Sequence, residues 1–172
     1  MSTEYTKSIF RHVLAWLKNN NKPTSKIAMQ KTLFYLQEKG TPLRLDFEPY
    51  SYGPFSRQIM ETATELQKAG VILVGKTEYT PALEDADPLS ETECRKIDAH
   101  LERFSALHGD DFSFGTLELY GTVLYCIQAL KEIGGEADTD SVLQEVRAWK
   151  GSKFPEQAIT SAYKDLSADL SS

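Results

Sequence analysis

Gly70-Val71-Ile72-Leu73-Val74-Gly75-Lys76-Thr77 fits two incompatible readings. By spacing alone, a glycine, four residues and then Gly-Lys-Thr is the phosphate-loop pattern of nucleotide-binding α/β proteins. Such a loop must leave successive backbone amides free to cradle an anion, and it stands after a strand and before a helix. Here the four intervening residues are strong strand formers placed after a helical pattern, and Glu78-Tyr79-Thr80-Pro81 cannot open a helix of useful length. The stretch therefore reads as a hairpin, a wing, with a glycine-first turn at Gly75-Lys76 and a return through residues 77–80. The fold class follows: mainly α, with a small β hairpin.

Upstream, Ile9, Val13 and Trp16 fall on one side of a helical wheel and Lys7, Arg11 and Lys18 on the other, which predicts an amphipathic helix ending before Pro23. Thr24 or Ser25 can cap a second helix carrying Ile27, Met29, Leu33, Phe34 and Leu36, with Gly40 as its stop. The alternation of Leu43, Leu45 and Phe47 with Arg44, Asp46 and Glu48 predicts a short strand. A third helix is expected to open at Gly53-Pro54, since proline suits a first turn, and to bury Phe55, Ile59 and Leu66 before Gly70. Helix, helix, short strand, helix, hairpin is the order of a winged-helix variant of the helix-turn-helix unit, over residues 3–80.

Downstream lies an acidic connector, residues 84–88. Ser90-Glu91-Thr92-Glu93 is a capping box for a helix whose Cys94, Ile97, Leu101 and Phe104 share a face. From Thr116 to Ile133 the pattern is apolar around most of the circumference, which predicts a central, buried helix. Two shorter helices follow, one with Val142, Val146 and Trp149, the other entered at Pro155. The expectation is a single compact domain over 1–172, with a winged-helix-like part (3–80) packed on a helical part (89–168).

Length and composition agree. At 172 residues, 41% hydrophobic and 26% charged, the chain is long enough to remove roughly 70% of its unfolded surface from water without disulfides or metal. Two cysteines suit a reducing compartment. Residues 1–11 lack the apolar run of a signal peptide, and no window approaches the roughly 18 apolar residues of a membrane span. A soluble, cytoplasmic protein with no membrane partner is expected. Net charge is −6, unevenly divided: through Thr80 there are 11 Lys or Arg against 7 Asp or Glu, and from Pro81 onward 8 against 18.

No pattern suggests catalysis. His12, His100 and His108 are scattered without zinc-site spacing, and Cys94 and Cys126 lie on apolar helical faces where a thiol acts as core filler. Glu132, Glu136, Asp138 and Asp140 bracket a helix end, where acids serve capping and solvation. No enzyme activity, cofactor or metal is expected. Nucleic acid is a natural partner for a winged helix, yet the exposed arc of the third helix, Arg57, Glu61, Glu65 and Lys68, carries no net positive charge, and the wing offers only Lys76. A basic face formed by Lys7, Arg11, Lys18, Lys22 and Lys26 keeps a DNA-binding transcriptional regulator as the alternative.

Three stretches carry a resemblance: Gln30-Lys31-Thr32-Leu33-Phe34-Tyr35-Leu36, then Phe47-Glu48-Pro49-Tyr50-Ser51-Tyr52-Gly53-Pro54-Phe55-Ser56, then Leu66-Gln67-Lys68-Ala69-Gly70-Val71-Ile72. Over residues 24–75 the chain resembles the Panacea antitoxin-domain superfamily and its uncharacterised bacterial relatives, in which a Gln-Lys helix precedes an aromatic-x-Tyr-Gly-Pro turn. The stretch between helix and turn is shorter here than in typical antitoxin members. The resemblance implies a helical, non-enzymatic domain that in some members binds and neutralises a toxin encoded beside it, and it matches Gln30, Lys31, Tyr35, Tyr52, Gly53 and Pro54. The expected partner is another protein, for which the resemblance implies such a toxin. Combining these positions with the aromatic turn, the expected partner-binding residues are Gln30, Lys31, Tyr35, Tyr50, Tyr52, Phe55 and Arg57.

Overall fold

The computed structural model describes residues 2–83 and 89–171, so the acidic connector at 84–88 lies outside the described residues. In chain order the elements are α1 (Glu4–Asn19), α2 (Lys26–Glu38), β1 (Glu48–Tyr50), β2 (Gly53–Phe55), α3 (Arg57–Lys68), β3 (Ile72–Val74), β4 (Tyr79–Pro81), α4 (Glu91–Leu107), α5 (Phe114–Glu132), α6 (Thr139–Lys150) and α7 (Glu156–Leu170). The chain is thus mainly helical with two small antiparallel hairpins, β1–β2 and β3–β4. None of its described helices is long and apolar enough to cross a membrane.

Two helices make the centre. On α5 the side chains from Tyr120 to Leu124 are all buried, as its all-round apolar pattern requires. On α2 every residue from Ala28 to Leu36 is buried, including the polar Gln30, Lys31 and Thr32. One hydrophobic core joins Ile9 and Phe10 of α1 through Leu33 and Tyr35 of α2 to Leu124 of α5, Val146 of α6 and Leu166 of α7. Side-chain oxygens at Ser25, Ser90 and Asp138 accept from the backbone three residues on, capping α2, α4 and α6.

The glycine-lysine stretch is a hairpin. Leu73 faces Thr80, and the Gly75 amide donates to the Glu78 carbonyl at 2.8 Å, closing the turn rather than waiting for an anion. The hairpin is tied to the start of α2 by Lys26 N–H to Thr77 O and Tyr79 N–H to Thr24 O, both 2.9 Å, while the Tyr79 ring packs edge-on against Phe10.

Two expectations are corrected. The alternating segment 43–47 is not a strand: Leu43 and Leu45 are buried and Arg44 and Asp46 exposed, but the Leu43 amide bonds to the Thr41 carbonyl and the backbone bonds of Leu45 and Asp46 go to side chains. Gln37 takes the Leu45 amide at 2.7 Å and gives to the Leu45 carbonyl at 2.9 Å, and Gln58 takes the Asp46 amide. Alternation there reports burial; the ladder is supplied by glutamine amides. Nor does a helix open at Gly53-Pro54. Those residues form β2, facing Tyr50 and Pro49 of β1, and α3 begins at Arg57 after Ser56 in extended conformation. Gly53, at φ +103°, turns the chain back before proline can start a helix. As neither Pro49 nor Pro54 has an N–H, this facing pair makes no ladder bond, and the register places the ladder bonds at Glu48–Phe55 and Tyr50–Gly53.

Candidate functional site: an aromatic hairpin anchored from behind

The β1–β2 hairpin is held by side chains from three helices. From α2, Gln30 pairs with the Ser56 backbone in both directions, amide to Oε1 at 2.8 Å and Nε2 to carbonyl at 2.9 Å. Also from α2, Lys31 Nζ donates to the Pro54 carbonyl at 2.7 Å. From the end of α6, Trp149 Nε1 reaches the Tyr50 carbonyl at 3.1 Å and Lys150 Nζ the Ser51 carbonyl at 2.6 Å. Glu118 of α5 lies beneath, 1% exposed, paired with Lys150 at 2.9 Å and with Lys153 at 2.8 Å. A carboxylate this deep requires close cations, and it fixes two lysines that meet the hairpin.

Lys31 is 3% exposed and threads between two glycines. A Cβ on Gly121 would stand 2.8 Å from Lys31 Cδ, and one on Gly53 would stand 3.1 Å from Lys31 Cε. Any larger residue at Gly121 takes the room of the lysine stem. Burial first, then the Lys150 charge, lowers the Lys31 ammonium to about 8, with Glu118 offsetting part of the shift.

Tyr35 belongs to a separate buried network. It is 1% exposed, stacks on Phe104 at 4.6 Å and donates to Asp169 of α7 at 2.7 Å. Asp169 also pairs with Arg103 and with Lys39 at 3.2 Å. Burial alone would raise the Asp169 carboxyl, but the donors from Tyr35, Arg103 and Lys39 outweigh it and hold it below its ordinary value. Burial, then the hydrogen bond to Asp169, raises the Tyr35 phenol.

Of the seven expected partner-binding residues, Gln30, Lys31 and Tyr35 are therefore buried and engaged with the chain's own backbone and C-terminal helix. Tyr50 (45% exposed), Tyr52 (54%) and Arg57 face solvent, and Phe55 is half-buried. Tyr50 meets Phe55 edge-on at 5.1 Å. Tyr52 meets Phe114, itself 47% exposed, at 4.8 Å, with Lys153 Nζ 5.3 Å from the Tyr52 ring centre. Phe114 had no signal of its own in the sequence, where it is one more apolar residue before a helix. Glu118, Lys150 and Lys153 escaped for another reason: about one helix and a half of chain separates the acid from its bases.

The basic face of the first two helices is partly engaged. Lys7 pairs with Glu65 at 3.7 Å, Lys22 lies over Phe112 and Lys26 over Tyr79. Burial pushes the Cys126 thiol up to about 12, and no group of three His, Cys, Asp or Glu among the described residues could hold a metal ion. Neither a protein-family model nor a curated protein matches the chain.

Proposed function

We propose that this chain is a non-catalytic protein-binding module, antitoxin-like or regulatory, of the bacterial cytoplasm, which presents the tip of the β1–β2 hairpin to another protein. One observation carries the reading: Tyr50 and Tyr52 stand exposed on a tip whose backbone is fixed from behind by Gln30, Lys31, Trp149 and Lys150, with the exposed Phe114 of α5 against Tyr52. Exposed aromatic rings on a rigid support lose little entropy on binding and are the side chains that most often dominate interface energetics, with Arg57 beside them of the same kind. The resemblance to antitoxin domains points the same way, toward a toxin encoded beside the chain as partner.

Affinity purification from the native cell with nuclease treatment tests this. Stoichiometric recovery of one protein, lost on Tyr52→Ala or Phe114→Ala with the melting transition nearly unchanged, is the expected result. Recovery abolished by nuclease would favour a DNA-binding regulator instead, and variants that merely unfold would make the hairpin scaffold.

A further inference from the structure

Beside the aromatic tip runs a groove of about 500 Å³ between β1 and α3, walled by Asp46, Glu48, Tyr50, Phe55, Arg57 and Glu61. At Gln58 and Glu61 it adjoins a second hollow of about 530 Å³, which continues past Arg44 and Leu43 toward Tyr5 and Glu93. We propose that this groove docks an extended segment of the partner protein carrying lysine or arginine beside an apolar residue. The proposal rests on the protein-binding reading above and names the chemistry of the partner.

Charge complementarity carries the argument. Three carboxylates against the one guanidinium of Arg57 leave the first hollow two charges negative. None of the four makes an ion pair or a side-chain hydrogen bond within the described residues, although other exposed acids find bases, as Glu91 does with Arg95 and Glu156 with Arg147. The acidic wall is also preset. Residues 45 and 46 have no regular structure, yet Gln37 and Gln58 fix their backbone, so Asp46 is positioned before any partner arrives. The second feature is the aromatic wall: Tyr50 and Phe55 both line the groove, meet edge to face at 5.1 Å, and Tyr50 remains 45% exposed. A carboxylate beside an aromatic face attracts ammonium and guanidinium groups by ion pairing and by the ring quadrupole together, and offers an apolar neighbour somewhere to pack. Two adjoining open hollows suit a stretch of chain better than a compact small molecule.

Fluorescence anisotropy with labelled peptides of about twelve residues tests the idea at low ionic strength. One peptide alternates Arg or Lys with Phe or Leu; in the other, Glu replaces each base. Wild-type protein should bind the basic peptide and not the acidic one. The triple variant Asp46→Asn/Glu48→Gln/Glu61→Gln should lose about tenfold in affinity and Tyr50→Ala several-fold, whereas Glu102→Gln/Glu136→Gln/Glu145→Gln, which removes the same charge elsewhere on the surface, should stay within about twofold. Equal losses in the two triple variants would reduce the effect to general attraction by an acidic protein and overturn the proposal. So would absence of binding to the basic peptide, or self-association of the wild type that vanishes in the groove variant, which would assign the groove to a second copy. With the recovered partner, capture that survives the groove variant but not Tyr52→Ala would sink the groove while leaving the binding-module reading standing.

Discussion

Replacing Gly121 by alanine should change sign with the residue at position 31. The new methyl would sit 2.8 Å from Lys31 Cδ, 3.4 Å from Lys31 Cε and 3.3 Å from Pro54 Cδ. The lysine cannot simply swing away, because its Nζ is bonded to the Pro54 carbonyl and its stem already runs against Gly53. Overpacking of this kind costs about 1–3 kcal/mol, and alanine in a helix interior returns about 1 kcal/mol over glycine. Gly121→Ala in the wild type should therefore destabilise by up to about 2 kcal/mol, a fall in melting temperature of up to about 8 °C for a chain of this size. In a Lys31→Ala background the close contact with the stem is gone, only the milder approach to Pro54 remains, and the same change should stabilise by about 0.5–1 kcal/mol. Lys31→Met keeps the stem and removes the charge, so Gly121→Ala should again destabilise there. Denaturant unfolding followed by circular dichroism and by Trp16 and Trp149 fluorescence gives the three differences, and the coupling between positions 31 and 121 should come to about 0.5–3 kcal/mol. An equal penalty in all three backgrounds would refute the threaded-stem account.

Three further outcomes follow from other buried groups. Burial, only partly offset by Asp111, lowers the His108 imidazole to about 4, so the fold accommodates the neutral ring, and the stability it contributes is whole above pH 6.5 and lost as pH falls toward 4. This amounts to about 3 kcal/mol, and since His100 is also lowered by burial, the measure is the difference between wild type and His108→Phe in unfolding free energy across that window, which should shrink by this amount. Gln30→Ala orphans the buried amide of Ser56, whose carbonyl keeps the Ile59 amide at 3.3 Å, and should cost roughly 1–3 kcal/mol, with faster hydrogen exchange at the Ser56 amide; Gln37→Ala, on a half-buried segment, should cost about 1 kcal/mol. In a Cys94→Ser variant, Cys126 should react with a thiol reagent at pH 8 orders of magnitude more slowly in the native protein than in urea, since its thiolate is disfavoured and its sulfur buried; rapid native labelling would contradict its place in the core.

What could be read in advance divides along a physical line. Helices with an apolar stripe and an oxygen cap were legible: Ser25 and Ser90 cap α2 and α4 where expected, and α5 is central because its pattern leaves no polar face to expose. The β3–β4 hairpin was legible because Val71-Ile72-Leu73-Val74 is a run of strand formers followed by a Gly-Lys turn. Segment 43–47 was not, since period-two alternation records which side chains are buried and says nothing of what meets the backbone at Leu45 and Asp46; Gln37 and Gln58 do. Gln30 and Lys31 were singled out, but as surface. The resemblance offered them as partner-binding positions, whereas the groups that satisfy them, the Ser56 backbone and the Pro54 carbonyl, lie more than twenty residues away within the chain. Phe114 joins Tyr52 only through folding, so no local pattern announces the pair.

The facing prolines of the β1–β2 hairpin bear on how a sticky tip stays out of trouble. In this register the residues whose polar groups point away from the ladder are Pro49 and Pro54, and each lacks an N–H. The Pro54 oxygen is already spent on Lys31. A neighbouring molecule seeking to extend the sheet would meet no donors along either rim, so three bare rings can be shown to a partner without inviting identical chains to stack into a fibre.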